Sequence, residues 1–122
     1  MYKNKNVVIV FSKEANEVYE ELNKIVGEEK KNKIESSFHQ TLLRSISRAK
    51  DLLRDNPFFG DQIPKSRIPK KYFSKYGVEN AWRVELADRW RMIYSIIGDK
   101  IEITIFVMDV FNHKDYDKVF GY

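Results

Sequence analysis

An α+β fold is what this sequence predicts, with an N-terminal strand and a two-helix pair packed on an antiparallel sheet of about four strands. Three observations predict it. Residues 81–86, 90–97 and 101–110 form three apolar runs separated only by the polar breaks Ala87-Asp88-Arg89 and Gly98-Asp99-Lys100. Breaks that tight make consecutive runs antiparallel neighbours. Two earlier stretches carry apolar residues at helical spacing, and a short β-branched run, residues 7–11, precedes them.

The elements follow in order. Val7-Val8-Ile9-Val10-Phe11 is the first expected strand. Ser12 is placed to cap the next helix, and Glu14 sits in a first turn whose free N–H groups favour an acid. Ala15, Val18, Tyr19, Leu22, Ile25 and Val26 recur at helical spacing, and Gly27 is expected to end that helix. A second helix is expected over residues 30–54, on the stripe Ile34, Phe38, Leu42, Ile46, Ala49 and Leu53. His39 falls mid-helix and is expected to be a solvated surface residue. Asp55-Asn56-Pro57 closes the helix, because the residue before a proline avoids the helical region.

Residues 58–80 hold Pro64, Pro69 and two glycines, and no period runs through them. A connection of that length is usually functional or disordered. Its aromatic residues argue for order, with a helical turn near residues 70–75, packed on the sheet's edge. In the meander, Trp82, Val84 and Leu86 share the face expected to be core, while Arg83 and Glu85 share the other. In the last run Ile101, Ile103, Ile105 and Val107 alternate with Glu102, Thr104, Phe106 and Met108.

Composition bounds the class. At 122 residues, 43% hydrophobic and 33% charged, residues 1–122 are expected to be a single folded domain. There is no cysteine, which excludes disulfides and thiolate zinc sites and fits a reducing cytoplasm. No apolar run reaches the roughly 20 residues of a membrane span, and residues 7–11 are too few for a signal-peptide core. The net charge of +4 is distributed unevenly. Lys65, Arg67, Lys70, Lys71 and Lys75 lie in a stretch without an acid, interleaved with Tyr72, Phe73 and Tyr76. Basic residues among aromatics suit nucleic acid, by phosphate contact and base stacking.

No phosphate-binding glycine fingerprint and no paired-histidine metal pattern is present, and no cofactor is implied. What the chain offers is a cationic face. Arg83 and Arg91 lie inside strands, where either they grip phosphate oxygens or they pair across strands with Glu85 or another acid. His113 closes the last strand beside Lys114 and can take up or give a proton near neutral pH. Tyr116 can stack on a base, bond a phosphate, or simply pack the tail.

The order strand, two helices, three-strand meander resembles the RelE/ParE toxin superfamily of type II toxin–antitoxin systems. The residues that carry the resemblance are Trp82-Arg83-Val84-Glu85-Leu86, Trp90-Arg91-Met92-Ile93-Tyr94, and His113-Lys114 followed by Tyr116. It covers essentially the whole chain, with residues 58–80 longer than in compact members. The resemblance implies a RelE-like fold and a metal-independent endoribonuclease that cuts mRNA on the ribosome. The ribose 2′-hydroxyl attacks the adjacent phosphate, leaving a 2′,3′-cyclic phosphate and a 5′-hydroxyl. It gives Arg91 the phosphorane charge, Arg83 the backbone, His113 general acid or base chemistry, and Tyr116 the orientation of the nucleotide. Glu85, where some members have a basic residue, is a candidate general base. Lys65, Arg67, Lys70, Lys71, Lys75 and Lys114 are the expected RNA contacts. The implied partners are a cognate antitoxin, mRNA and the ribosome, with no membrane; a homodimer stays open. Two alternatives stay open as well: a ParE-like gyrase inhibitor, and a non-catalytic module of the same fold that binds RNA or a partner.

Overall fold

In the computed structural model, which describes residues 2–122, the chain is α+β, with four helices and one five-stranded sheet. Strand β1 (Asn6–Phe11) leads into helices α1 (Lys13–Lys31) and α2 (Phe38–Asp55). A two-residue strand β2 (Asp61–Gln62) and helix α3 (Lys70–Tyr76) lie in the long connection. Strands β3 (Trp82–Glu85), β4 (Arg91–Gly98) and β5 (Glu102–Phe111) form the meander, and helix α4 (His113–Phe120) follows it. The sheet order is β1-β5-β4-β3-β2.

The sheet is mixed and five-stranded, not antiparallel with four strands. β1 runs parallel to β5, with Val7 opposite Ile103 and Phe11 opposite Val107. Apolar alternation defines a strand but carries no direction. The α1–α2 hairpin brings the chain back to the end where β1 finished. Three reversals through β2, β3 and β4 then leave β5 running the same way as β1. The Ser12 hydroxyl locks this junction: it donates to the Met108 carbonyl at 2.7 Å and accepts from the Ala15 N–H at 3.0 Å, capping α1.

Gly27 does not end α1. The helix continues to Lys31, and α2 begins at Phe38 rather than at residue 30. A glycine inside a helix costs only about 1 kcal/mol against alanine, and helical continuity on both sides of Gly27 outweighs that. The break comes at Lys33, whose φ is +59°, and Ser37 caps α2 by accepting from the Gln40 N–H. His39 belongs to the clasp that holds this hairpin. Glu29 accepts from Ser37 Oγ at 2.5 Å and lies 3.1 Å from His39 Nδ1, and these contacts, Ser37 first, lower its pKa.

Each face of the sheet has its own core. Leu22, Leu42, Ile46 and Leu53 of α1 and α2 pack on Val84, Met92, Tyr94, Ile105 and Val107. On the opposite face Ile68, Tyr72 and Tyr116, from the long connection and α4, pack on Ile93, Met108 and Phe111. Residues 58–80 are therefore built into the fold on a face as well as at the edge. Their entry is fixed by Tyr94, whose hydroxyl donates to the Pro57 carbonyl at 2.8 Å and accepts from the Gly60 N–H at 3.1 Å.

β5 carries a bulge. Ile93 pairs with Asp109 but Tyr94 with Val107, so Met108 is an extra residue. Strict alternation would send Asp109 to the helix-pair face. The bulge turns Asp109 and Phe111 to the other face and sends Val110 to the first.

Candidate functional site

The second face of the sheet gathers charge at one end. β3 contributes Arg83 and Glu85, and β4 contributes Arg91, with Glu85 directly opposite Arg91 and Asp61 of β2 opposite Arg83. The β3–β4 turn is tight. Asp88 and Arg89 both have positive φ, 53° and 63°, as a two-residue hairpin turn requires. Arg91 follows this turn at once, and its Nη1 donates to the Arg89 carbonyl.

Tyr116 joins the two arginines. It is buried on α4, one turn past the Asn112 cap, whose side chain accepts from the Asp115 N–H. Arg83 Nη1 donates to Tyr116 Oη at 3.0 Å. The Arg83 and Arg91 guanidinium carbons stand 5.8 and 5.2 Å from the Tyr116 ring centre, within cation–π range. Burial works to lower the Arg83 pKa, but the bond and charge of Tyr116, with Asp61, raise it on balance.

The acids hold these arginines loosely. Arg91 Nε is 3.6 Å from Glu85 Oε1, and Arg83 Nη2 is 3.5 Å from Asp61 Oδ2, both beyond ordinary hydrogen-bond length. Glu85 and Asp61 are 60% and 74% exposed in their side chains, whereas Arg91 is only 13% exposed. Arg83 Nε and Arg91 Nε are both buried without a hydrogen-bond partner. An unpaired buried donor of this kind costs roughly 1–3 kcal/mol. Cross-strand pairing of these arginines with acids thus exists, but it leaves donor capacity unused.

Of the expected site residues, Arg83, Glu85, Arg91 and Tyr116 come together. His113 does not sit at a strand end. It is the first residue of α4 and lines a neighbouring hollow with Asp88, Arg89, Trp90, Asn112 and Lys114. The helix start was legible in Asn112 and Asp115, an N-cap and an acid in the first turn.

The basic cluster divides. Lys71 Nζ lies 3.2 Å from Asp109 Oδ2, and Lys75 pairs with Glu14 of α1. Lys65, Arg67 and Lys70 are exposed and, among the described residues, have no acid partner. Asp109 also accepts from the buried Tyr72 hydroxyl at 2.7 Å, and burial, then the Asp109 charge, push the Tyr72 pKa far above the usual tyrosine range. Asp109 is one of three acids, with Asp115 and Asp117, that the sequence puts near the cationic site. The sequence does not show Lys71 as the partner of Asp109 or Asp61 as the partner of Arg83, since one depends on the bulge and the other on a two-residue strand.

Among the described residues no group of three or more His, Cys, Asp or Glu is arranged to hold a metal, and no helix is long and apolar enough to cross a membrane. The chain matches no family model, no curated protein and no solved structure.

Proposed function

We propose that this chain is a metal-independent endoribonuclease that cuts mRNA, the toxin of a type II toxin–antitoxin pair with a RelE-like fold. One observation carries the reading. Two guanidinium groups from adjacent strands converge on a buried tyrosine, and each retains a buried Nε with no partner. Phosphate oxygens are suited to that unmet capacity, and the loosely held Glu85 and Asp61 are easily exchanged for them.

In this reading Arg83 holds the RNA backbone and Arg91 neutralises the phosphorane that forms when the 2′-hydroxyl attacks. Glu85, freed from Arg91, takes the proton of that hydroxyl, and Tyr116 orients the nucleotide. His113, one helical turn from Tyr116, returns a proton to the departing 5′-oxygen. Lys65, Arg67, Lys70 and Lys114 draw the strand in. The ribosome presents the mRNA in the cytoplasm, and an acidic antitoxin that folds on binding blocks the site. The exposed apolar surface between α1 and α2, around Phe38 and Trp90, suits its docking.

The deciding experiment induces the chain with and without the neighbouring open reading frame and maps RNA ends. Cyclic 2′,3′-phosphate and 5′-hydroxyl ends that vanish in Arg91→Ala support the reading. Intact mRNA with damaged DNA topology would move the chain to gyrase inhibition. A second reading, an RNA- or partner-binding module without catalysis, draws on the acids that already engage both arginines; it expects RNA binding with no new ends.

A further inference from the structure

We infer that a hollow at the outer edge of β3 is a nucleobase subsite, taking the base of a nucleotide next to the one whose phosphate the arginines hold. The inference rests on the RNA reading above and adds a second point of contact to it. β2 covers β3 only at Trp82 and Arg83, so Val84 and Glu85 form a free edge. Beside that edge is a hollow of about 420 Å³ between β3 and α2, lined by Arg48, Ala49, Leu52, Phe59, Val84 and Glu85.

Three features suit a base with its phosphate. Phe59 lines the hollow and is 47% exposed. It offers a ring face, and base stacking on such a face tolerates any base. Arg48 is exposed and, among the described residues, has no carboxylate within ion-pair distance, so it is available to a phosphate or to a base edge. Ala49 and Leu52 supply an apolar floor. Glu85 borders both places: it lines the hollow and stands opposite Arg91. A single strand of RNA laid across the Arg83–Arg91 face turns over the β3 edge at Glu85 and drops a base against Phe59. A duplex cannot do this, because its bases are not free, so the occupant is single-stranded RNA.

The test measures binding of fluorescent oligoadenylates with 2′-O-methyl riboses, which cannot be cut. One is complete, and each of the others lacks the base at one position. Phe59→Ala should weaken the complete strand about tenfold, and Phe59→Trp should restore it. One abasic strand should bind the parent protein as weakly as the complete strand binds Phe59→Ala, and should lose nothing further in that variant. Arg91→Ala should weaken every strand. If Phe59→Ala binds as the parent does while Arg91→Ala weakens all strands, the subsite is wrong and the RNA reading stands. If the parent binds no strand, both are wrong. Phe59 is exposed, so its replacement leaves the fold intact, and circular dichroism checks this.

Discussion

Arg83 of β3 donates a hydrogen bond to the phenol oxygen of Tyr116 on α4 across 3.0 Å, tying the last helix to the β3 side of the sheet. Tyr116→Phe keeps the ring stacked on Phe120 but removes the acceptor. Since Arg83 Nε is already unpaired, a second missing partner should destabilise the fold by about 1 kcal/mol, visible as a lower urea midpoint with unchanged slope. A variant as stable as the parent would show that water replaces the tyrosine oxygen at no cost.

The proposed chemistry puts a rate on each group. Arg91→Ala should lower RNA cleavage roughly 10² to 10³-fold, as for the loss of one group that stabilises transition-state charge. His113→Gln, which keeps a hydrogen bond but not the titration, should lower it about 10² to 10⁴-fold. Full activity in His113→Gln would assign proton transfer to another residue, with Glu85 first in line.

Salt dependence should separate the two halves of the basic cluster. Alanine at Lys65, Arg67 and Lys70 should flatten the slope of log affinity against log salt by roughly 0.7 for each phosphate no longer neutralised. Lys71→Ala and Lys75→Ala should change it less, because their ammonium groups neutralise Asp109 and Glu14 instead. Equal effects from all five would mean that RNA displaces both acids.

Acid should loosen the docking of α3 on α1. The bond from Lys75, then that from the Tyr76 hydroxyl, hold the Glu14 carboxyl down to about 2, from an ordinary 4.5. Its folded value lies below its unfolded one, so its contribution is complete above pH 4.5 and disappears as pH falls toward 2. Glu14→Gln should therefore be less stable than the parent at neutral pH and equal to it near the acid end. A gap between the two midpoints that stays constant with pH would place the effect elsewhere.

Gly60 has no room for a side chain. A Cβ there would stand 2.7 Å from the Arg83 carbonyl and 2.8 Å from the Tyr94 hydroxyl. Gly60→Ala should destabilise the chain by about 2 kcal/mol and displace the edge that carries Arg83. Unfolding measurements give the first effect, and RNA binding gives the second.

Much of the fold was written in local patterns. The parity of Trp82, Val84 and Leu86 against Arg83 and Glu85 put Arg83 and Glu85 on the face away from the helix pair, because a strand's period is two whatever surrounds it. The stripe from Leu42 to Leu53 was likewise sufficient for the buried side of α2. What stayed hidden depends on residues distant in sequence. The direction of β1 is set by the path between it and β5. The pairing of Lys71 and Lys75 is set by where α3 lands, and the opposition of Asp61 and Arg83 by a strand two residues long. Gly27 lies inside α1 because the helix-forming residues after it outweigh the helix-ending tendency of a single glycine.

The extra residue at Met108 makes β5 a strand with two phases. Before it, odd positions face the helix pair; after it, even positions do. Inside and outside are therefore assigned by counting rather than by residue type. Pairing Met108 into a regular ladder, with no residue left over, would exchange the two faces for everything downstream at a stroke: a carboxylate would enter the layer under the helix pair and Val110 would leave it. The one-residue irregularity thus acts as a reading frame for the end of the sheet. Asp109 meets Tyr72 and Lys71, and Phe111 meets the Tyr116 ring, only while that frame is kept.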